Sequence, residues 1–216
     1  SISAILALIV VLKRLVKIEK EDRTKTIYFS FKVLKEILVI AIPSTLQQSF
    51  ISIGNILIQT VINGFGSSAI AGYSAAIKLN NLMITSLTTI GNGISNYTAQ
   101  NLGAGKLKRI HPGYTSGIKI VLTICIPFVL LYILIGKELL YLFGKSMSNE
   151  AINVGMKFLR IVSPFYFIIA TKITADGILR GSSKMICFMF STFTDLILRV
   201  ILAFILSKPF GIVGVW

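Results

Sequence analysis

The sequence has few charged residues and very few acids. Only 14% of its 216 residues are charged, against about 25% in soluble domains, and eight of them are acidic. With two cysteines and a single histidine, His111, it contains no cysteine–histidine cluster for a metal and no Ser-His-Asp set. No paired carboxylates suit hydrolytic acid–base chemistry. We therefore expect neither an enzyme nor a bound cofactor or metal ion.

Long apolar stretches dominate instead, with 54% hydrophobic residues and a mean hydropathy of +0.82. An apolar helix needs ~20 residues to cross the hydrocarbon core of a membrane. Five stretches reach that length, at 37–62, 68–101, 114–136, 150–179 and 184–207. The apolar segments at 1–12 and from 210 onward are shorter. The pattern predicts an all-α polytopic membrane protein with five complete spans and a truncated span at each end.

Basic residues are concentrated between residues 13 and 36, which contain eight of the 22 lysines and arginines. Cytoplasmic loops of membrane proteins carry an excess of these residues, so this loop is expected in the cytoplasm, beside anionic lipids. The net charge of +14 is thereby explained without a nucleic-acid partner. We expect a multi-pass plasma-membrane protein, such as one of the bacterial inner membrane, with membrane lipids as partners.

Polar residues recur at helical spacing along two of the apolar stretches. The first row runs from Ser44 to Asn63 in steps of three or four, and the second from Lys78 to Ser95. Such groups are costly in lipid unless they are satisfied. They serve either as hydrogen-bonding contacts between helices or, as we favour for two neighbouring rows, as the wall of a polar cavity. The expected substrate-cavity residues, which include one nearby aromatic, are Gln48, Ser52, Asn55, Gln59, Lys78, Asn81, Thr85 and Tyr166.

Ionisable residues also occur inside the apolar stretches. Lys172 and Asp176 are four residues apart, and so are Asp195 and Arg199. Residues at this spacing share a helix face and can form an ion pair. Since charges at membrane depth are rare, they are candidates for a function. The two pairs are therefore interpreted as either ion or proton sites or structural pairs.

Several segments resemble the multidrug and toxic compound extrusion (MATE) family. The segment Ala99-Gln100-Asn101-Leu102-Gly103-Ala104-Gly105-Lys106 carries much of the resemblance. Four further places agree in family order, and they are Ile42-Pro43-Ser44, Ala71 to Lys78, Ser163-Pro164 with Leu179-Arg180-Gly181, and Gly211 to Trp216. The resemblance covers nearly the whole chain.

The resemblance implies the six-helix C-terminal lobe of a twelve-helix transporter. Residues 1–12 would end a helix of the N-terminal lobe, 13–36 would form the cytoplasmic loop between lobes, and 37–216 would be the C-terminal lobe. It also implies a secondary transporter, not an enzyme, that exports amphipathic or cationic drugs by alternating access. The coupling ion would be Na⁺ or H⁺, and the N-terminal lobe would be the partner of this lobe.

The sequence departs from the family where some members carry an acid in the helix matching 37–62, since Gln47 and Gln48 stand there. Asp176 also lies late in its helix, while Ile169 is closer to the depth at which some members carry an acid. Our hypothesis is that the coupling acid lies in the first lobe. Two alternatives stay open. One is a lipid-linked oligosaccharide flippase or polysaccharide exporter, with a more basic cavity, and the other is a non-transporting scaffold with packed polar rows.

Overall fold

The computed structural model describes residues 5, 6, 8–13, 29–143 and 147–216. The chain divides into two compact units, Ser1–Val39 and Ile40–Trp216. Within the first unit, residues 8–13 are helical, and Phe29 packs edge to face on Phe31 with ring centroids 5.1 Å apart. The predicted cytoplasmic loop falls largely on residues 14–28, which lie outside the described residues.

The described residues form α-helices joined by short 3-10 turns, with no strand among them. The helices are α1 Phe31–Asn63, α2 Ser67–Gly103, α3 Ile110–Leu134, α4 Gly136–Phe143, α5 Asn149–Val162, α6 Tyr166–Gly181 and α7 Met185–Phe210. Turns of 3-10 helix lie at Leu107–Arg109, Ser163–Phe165 and Gly211–Val215. The all-α class predicted from the sequence is confirmed.

Four helical stretches of the described chain are long and apolar enough to cross a membrane. They are Phe31–Asn63, Leu107–Phe143, Asn149–Gly181 and Met185–Val215. The stretch expected to span at 68–101 is a single helix, α2, of 37 residues, but it is not among the four. The asparagines, serines and threonines of α2 lower its mean hydropathy. This helix packs against other helices over much of its surface, so its surface does not need to be apolar throughout.

Helix bounds differ from the apolar stretches in places that have a physical reason. Helix α1 begins at Phe31 instead of residue 37, because hydrogen bonding of the backbone continues beyond the part of the helix that is apolar. The stretch 150–179 is divided into α5 and α6 by a 3-10 turn at Pro164, whose missing N–H interrupts the helical hydrogen bonds. The loop expected after residue 136 contains the short helix α4. Gly211, with φ 60°, ends α7 and is followed by a 3-10 turn instead of a helix starting at 210.

Helix α2 lies at the centre of the bundle, where it packs against α3, α5 and α6. Its buried face includes Leu79, Met83 and Leu87, of which the last two are fully buried. Val121 of α3 and Leu159 of α5 are also fully buried in this core. The opposite face of α2 is consequently the one free to carry polar groups.

Small residues let α2 and α6 approach closely. In α6, Gly177 and Gly181 are four residues apart, the small-xxx-small spacing found where membrane helices pack backbone to backbone. A Cβ atom added at Gly177 would lie 2.5 Å from the carbonyl oxygen of Gly91, and one at Gly181 would collide with that of Ser95. The two helices therefore fit together only because these positions have no side chain.

Helix α1 packs on α7 along one edge. Gln47 Nε2 donates a 2.8 Å hydrogen bond to Thr192 Oγ1, and the rings of Phe50 and Phe193 meet edge to face at 4.9 Å. One turn further along, Gly54 lies against the side chain of Leu196. These contacts fix which face of α1 is covered, and they leave its polar row uncovered.

Candidate substrate cavity wall and charged cluster

The polar row on α1 lies on an open face of the helix. Gln48, Ser52 and Asn55 are exposed, and Gln59 is half-buried. Ser52 Oγ donates to the carbonyl of Gln48 at 3.0 Å, and Gln59 Nε2 donates to Asn63 Oδ1 at 3.0 Å. The row satisfies part of its hydrogen-bonding capacity within its own helix and presents the rest outward. In a membrane such a face must meet water or protein, because lipid cannot satisfy it.

The polar row on α2 is also exposed. Lys78, Asn81 and Thr85 lie on the face opposite the buried Leu79 and Met83. The ammonium group of Lys78 is 5.6 Å from the ring centroid of Phe143 in α4, where a cation is attracted to an aromatic face. Asn81 and Thr85 contribute the uncharged polar groups of this face, an amide and a hydroxyl.

The structure brings each row to an open face but does not join the two rows. Among the described residues, no hydrogen bond links the polar row of α1 to that of α2. Helix α1 is held by α7, whereas α2 is held by α3, α5 and α6. The rows are thus two open polar faces, and the prediction that they share one cavity stays a prediction.

Tyr166 does not belong to this wall, and the expectation that it lines the cavity is wrong. It is fully buried, and its hydroxyl donates to Asn80 Oδ1 at 2.9 Å. Beside it, Tyr132 donates to the carbonyl oxygen of Leu79 at 2.7 Å, and the two rings meet edge to face at 6.2 Å. Both tyrosines point inward because the backbone and side chain of α2 supply the acceptors that buried hydroxyls need.

Three of the four ionisable residues, Lys172, Asp176 and Asp195, form one cluster across two helices. Lys172 Nζ lies 3.2 Å from Asp176 on α6, as the spacing predicts, and 3.8 Å from Asp195 on α7. The expected pair of Asp195 with Arg199 is not formed in the described residues, and Arg199 is exposed. Packing of α6 against α7 places Lys172 within reach of Asp195, and this contact replaces the one along the helix. One cation is thus shared by two carboxylates, which gives a formal net charge of −1.

Sequence reasoning missed three polar contacts between helices, one buried and two half-buried. Gln47 fastens α1 to α7, Asn80 accepts from Tyr166, and Tyr132 bonds to the backbone of α2. A signal for Asn80 was present, because Asn80 and Asn81 are adjacent and only one of them can lie on the exposed row. No comparable signal marks Tyr132, since its partner is a backbone carbonyl.

A bundle of long apolar helices with open polar faces defines a polytopic, multi-pass membrane protein. The family model described as MatE matches residues 43–205, which is most of the chain. The chain belongs to the MatE family. The resemblance drawn from its motifs is therefore confirmed.

The relatives it matches are multidrug resistance proteins by name. The chain is 26% identical over 174 residues to the probable multidrug resistance protein YpnP of Bacillus subtilis, covering 81% of this chain and 37% of that protein. It is 23% identical over 185 residues to the probable multidrug resistance protein NorM of Thermotoga maritima, covering 84% and 39%. The chain thus spans about two fifths of the length of these curated relatives.

Solved structures with the same fold include a MATE protein in complex with MaL6. It superposes with a TM-score of 0.79 at 23% identity, covering 87% of this chain and 43% of that one. A MOP superfamily transporter from Pyrococcus furiosus gives a TM-score of 0.75 at 21% identity, covering 83% and 40%. These likenesses establish the fold of the six-helix lobe, again over about two fifths of each chain.

Proposed function

We propose that the protein is a secondary transporter, a cation-coupled antiporter that exports drugs or other amphipathic, cationic compounds by alternating access. The observation that carries the proposal is the pair of open polar faces on α1 and α2, two helices whose remaining residues are largely apolar. Membership of the MatE family, and multidrug resistance relatives, support the same activity. In this proposal the faces form one wall of the cavity, and an N-terminal lobe forms the other.

The chemistry of the wall suits amphipathic cargo. Exposed amides and hydroxyls can form hydrogen bonds with water or with the polar part of many different molecules. Neighbouring apolar side chains can contact the hydrophobic part of the same molecules. The wall has no acid, and its one cation, Lys78, is held over the ring of Phe143. A flippase for anionic oligosaccharide carriers would be expected to present more basic charge. A scaffold would be expected to cover the polar rows.

Replacing polar groups of the α1 row by leucine is expected to slow export. In the protein at its natural length, Ser52→Leu and Asn55→Leu should each lower the rate of ethidium efflux from proteoliposomes by about tenfold. Each removes polar groups whose hydrogen bonds are worth about 1–2 kcal/mol, and each adds bulk to the cavity. The initial rate of fluorescence change on applying an ion gradient measures the effect.

The matched control for Ser52→Leu is Thr123→Leu on α3. Thr123 is likewise exposed and likewise donates to a carbonyl four residues before it, but it lies away from both rows. Its efflux rate should equal that of the unchanged protein. If Ser52→Leu and Asn55→Leu also export at the unchanged rate while folding normally, the rows are not a substrate wall and the proposed function fails.

The coupling ion, Na⁺ or H⁺, is proposed to bind outside residues 1–216. Both intramembrane acids of this chain already contact the ammonium group of Lys172, as expected of structural partners. The variant Asp176→Asn/Asp195→Asn, and the uncharged Lys172→Met/Asp176→Asn/Asp195→Asn, should keep the dependence of efflux on the ion gradient. Efflux measured with and without an imposed Na⁺ or H⁺ gradient tests this. Loss of ion dependence in both variants would place coupling within this lobe.

A further inference from the structure

A groove of about 520 Å³ lies between α2 and α3, apart from the polar rows. On α2 it runs from Ile90 to Tyr97, and on α3 from Pro112 to Ile120. Its walls are mainly apolar, with the hydroxyls of Ser116 and Tyr97 as their polar side-chain groups. Ile120 is 53% exposed, so the groove opens along the outer surface of the bundle. The apolar lining, unlike the polar rows, suits contact with lipid.

The groove exists because one glycine leaves a gap that its neighbours do not fill. A Cβ atom added at Gly93 would meet nothing within 4 Å. The glycines of α3 differ, since Gly113 is covered by the ring of Tyr97 and Gly117 by the side chain of Ile94. The two helices are thus in firm contact along their shared edge, and the space above Gly93 stays open.

One end of the groove is marked by positive charge. The hydroxyl of Tyr97, at this end, donates to the carbonyl oxygen of Arg109 at 3.2 Å. Lys106, Lys108 and Arg109 are all exposed in the turn there. No acid occurs anywhere from Ile37 to Lys137, so this basic turn and both helices of the groove carry no compensating negative charge.

We propose that this groove binds an anionic phospholipid, with an acyl chain over Gly93 and the phosphate at the Lys106–Arg109 turn. Basic pockets between membrane helices on the cytoplasmic side bind acidic lipid headgroups. This turn is expected on the cytoplasmic side, because two successive spans, the stretches 37–62 and 68–101, lead to it from the cytoplasmic 13–36 loop. An acyl chain in the groove supplies the van der Waals contacts that the lining of an empty gap lacks. The charge complementarity selects an anionic lipid over a zwitterionic one.

Photo-crosslinking distinguishes this site from ordinary lipid contact. The protein at its natural length is placed in nanodiscs that contain either phosphatidylglycerol or phosphatidylcholine, each with the same diazirine-bearing acyl chain. Labelled peptides should map to 90–97 and 112–120, with at least about tenfold preference for phosphatidylglycerol, since each basic residue near an anionic surface contributes up to about a factor of five and the turn has three. Equal labelling by both lipids would overturn the proposal.

Filling the groove should abolish the labelling. Gly93→Leu should lower phosphatidylglycerol labelling of these peptides about tenfold, whereas Gly103→Leu should leave it unchanged. Gly103 is the matched control, because it lies on the same helix, also has open space at its Cβ, and does not line the groove. Labelling that survives Gly93→Leu in protein of unchanged melting temperature would show that the chain does not lie there.

Removing charge should abolish the preference without closing the groove. Lys106→Gln/Lys108→Gln/Arg109→Gln should label equally with both lipids. The control Lys137→Gln/Lys157→Gln/Arg160→Gln, which removes as many exposed charges elsewhere, should keep the preference. A retained preference in the first variant, or displacement of the label by tetraphenylphosphonium, a hydrophobic cation, would overturn the proposal. The second result would identify the groove as a cargo site.

Discussion

Gly177→Leu is expected to lower the melting temperature of the detergent-solubilised protein by about 6–12 °C. The Cβ atom would lie 2.5 Å from the carbonyl oxygen of Gly91 in α2. A helix backbone, unlike a side chain, cannot change rotamer to relieve this contact. Forcing extra atoms into a packed contact costs about 1–3 kcal/mol, and the upper end applies where the obstacle is backbone. For a domain of this size, each kcal/mol corresponds to about 2–4 °C.

A series of related variants shows whether contact with the backbone of α2 causes the lower melting temperature. Gly177→Ala already introduces the colliding atom, so it should destabilise markedly. Gly91→Ala should cost less, because the nearest obstacle is the Cγ2 methyl of Ile173 at 2.7 Å and the nearest backbone atom, the Ile173 oxygen, is farther away at 3.2 Å. Gly93→Leu on the same helix should melt near the unchanged protein, since its Cβ meets open space. Equal melting temperatures for Gly177→Leu and Gly93→Leu would refute the close-packing argument.

Periodicity along single helices could be predicted from the sequence, and the structure shows why. The rows containing Asn55 and Asn81 lie on exposed faces, because an apolar face on the same helix is needed for packing and the polar residues are spaced to avoid it. The Lys172–Asp176 pair also follows from spacing alone. Each of these inferences needs only the geometry of one helix.

Contacts between helices could not be predicted in the same way. Asp195 could pair along α7 with Arg199 or across to Lys172, and the choice depends on how α6 and α7 are rotated about their axes. The position of Tyr166 along its apolar stretch predicted that its side chain lines the cavity. The rotation of α6 about its axis turns that side chain toward Asn80 instead. The α2–α3 groove likewise depends on which neighbour covers each glycine. A single sequence carries no direct information on these rotations.

Lys172→Met is expected to destabilise the protein by about 2–3 kcal/mol, more than loss of either acid. It leaves two carboxylates without a counter-ion at membrane depth, and one of them, Asp176, has a side chain only 13% exposed. Breaking a buried pair by removing one partner costs about 3–5 kcal/mol, reduced here because the Lys172 side chain is 37% exposed. Asp195→Asn should cost at most about 1 kcal/mol, since its side chain is 60% exposed.

A double-mutant cycle identifies which cation the acids depend on. Unfolding free energies of Lys172→Met, Asp176→Asn and the double variant should show a coupling of about 1 kcal/mol or more, because the double variant no longer leaves Asp176 charged and alone. The cycle of Arg199→Met with Asp195→Asn is the control, and its coupling should be near zero. Coupling in the Arg199 cycle without any in the Lys172 cycle would show that Arg199, and not Lys172, is the cation on which an acid of this cluster depends. Because a charge that has lost its partner is costly only where water is scarce, the size of the Lys172 coupling also measures how far water reaches the Lys172–Asp176 pair on α6.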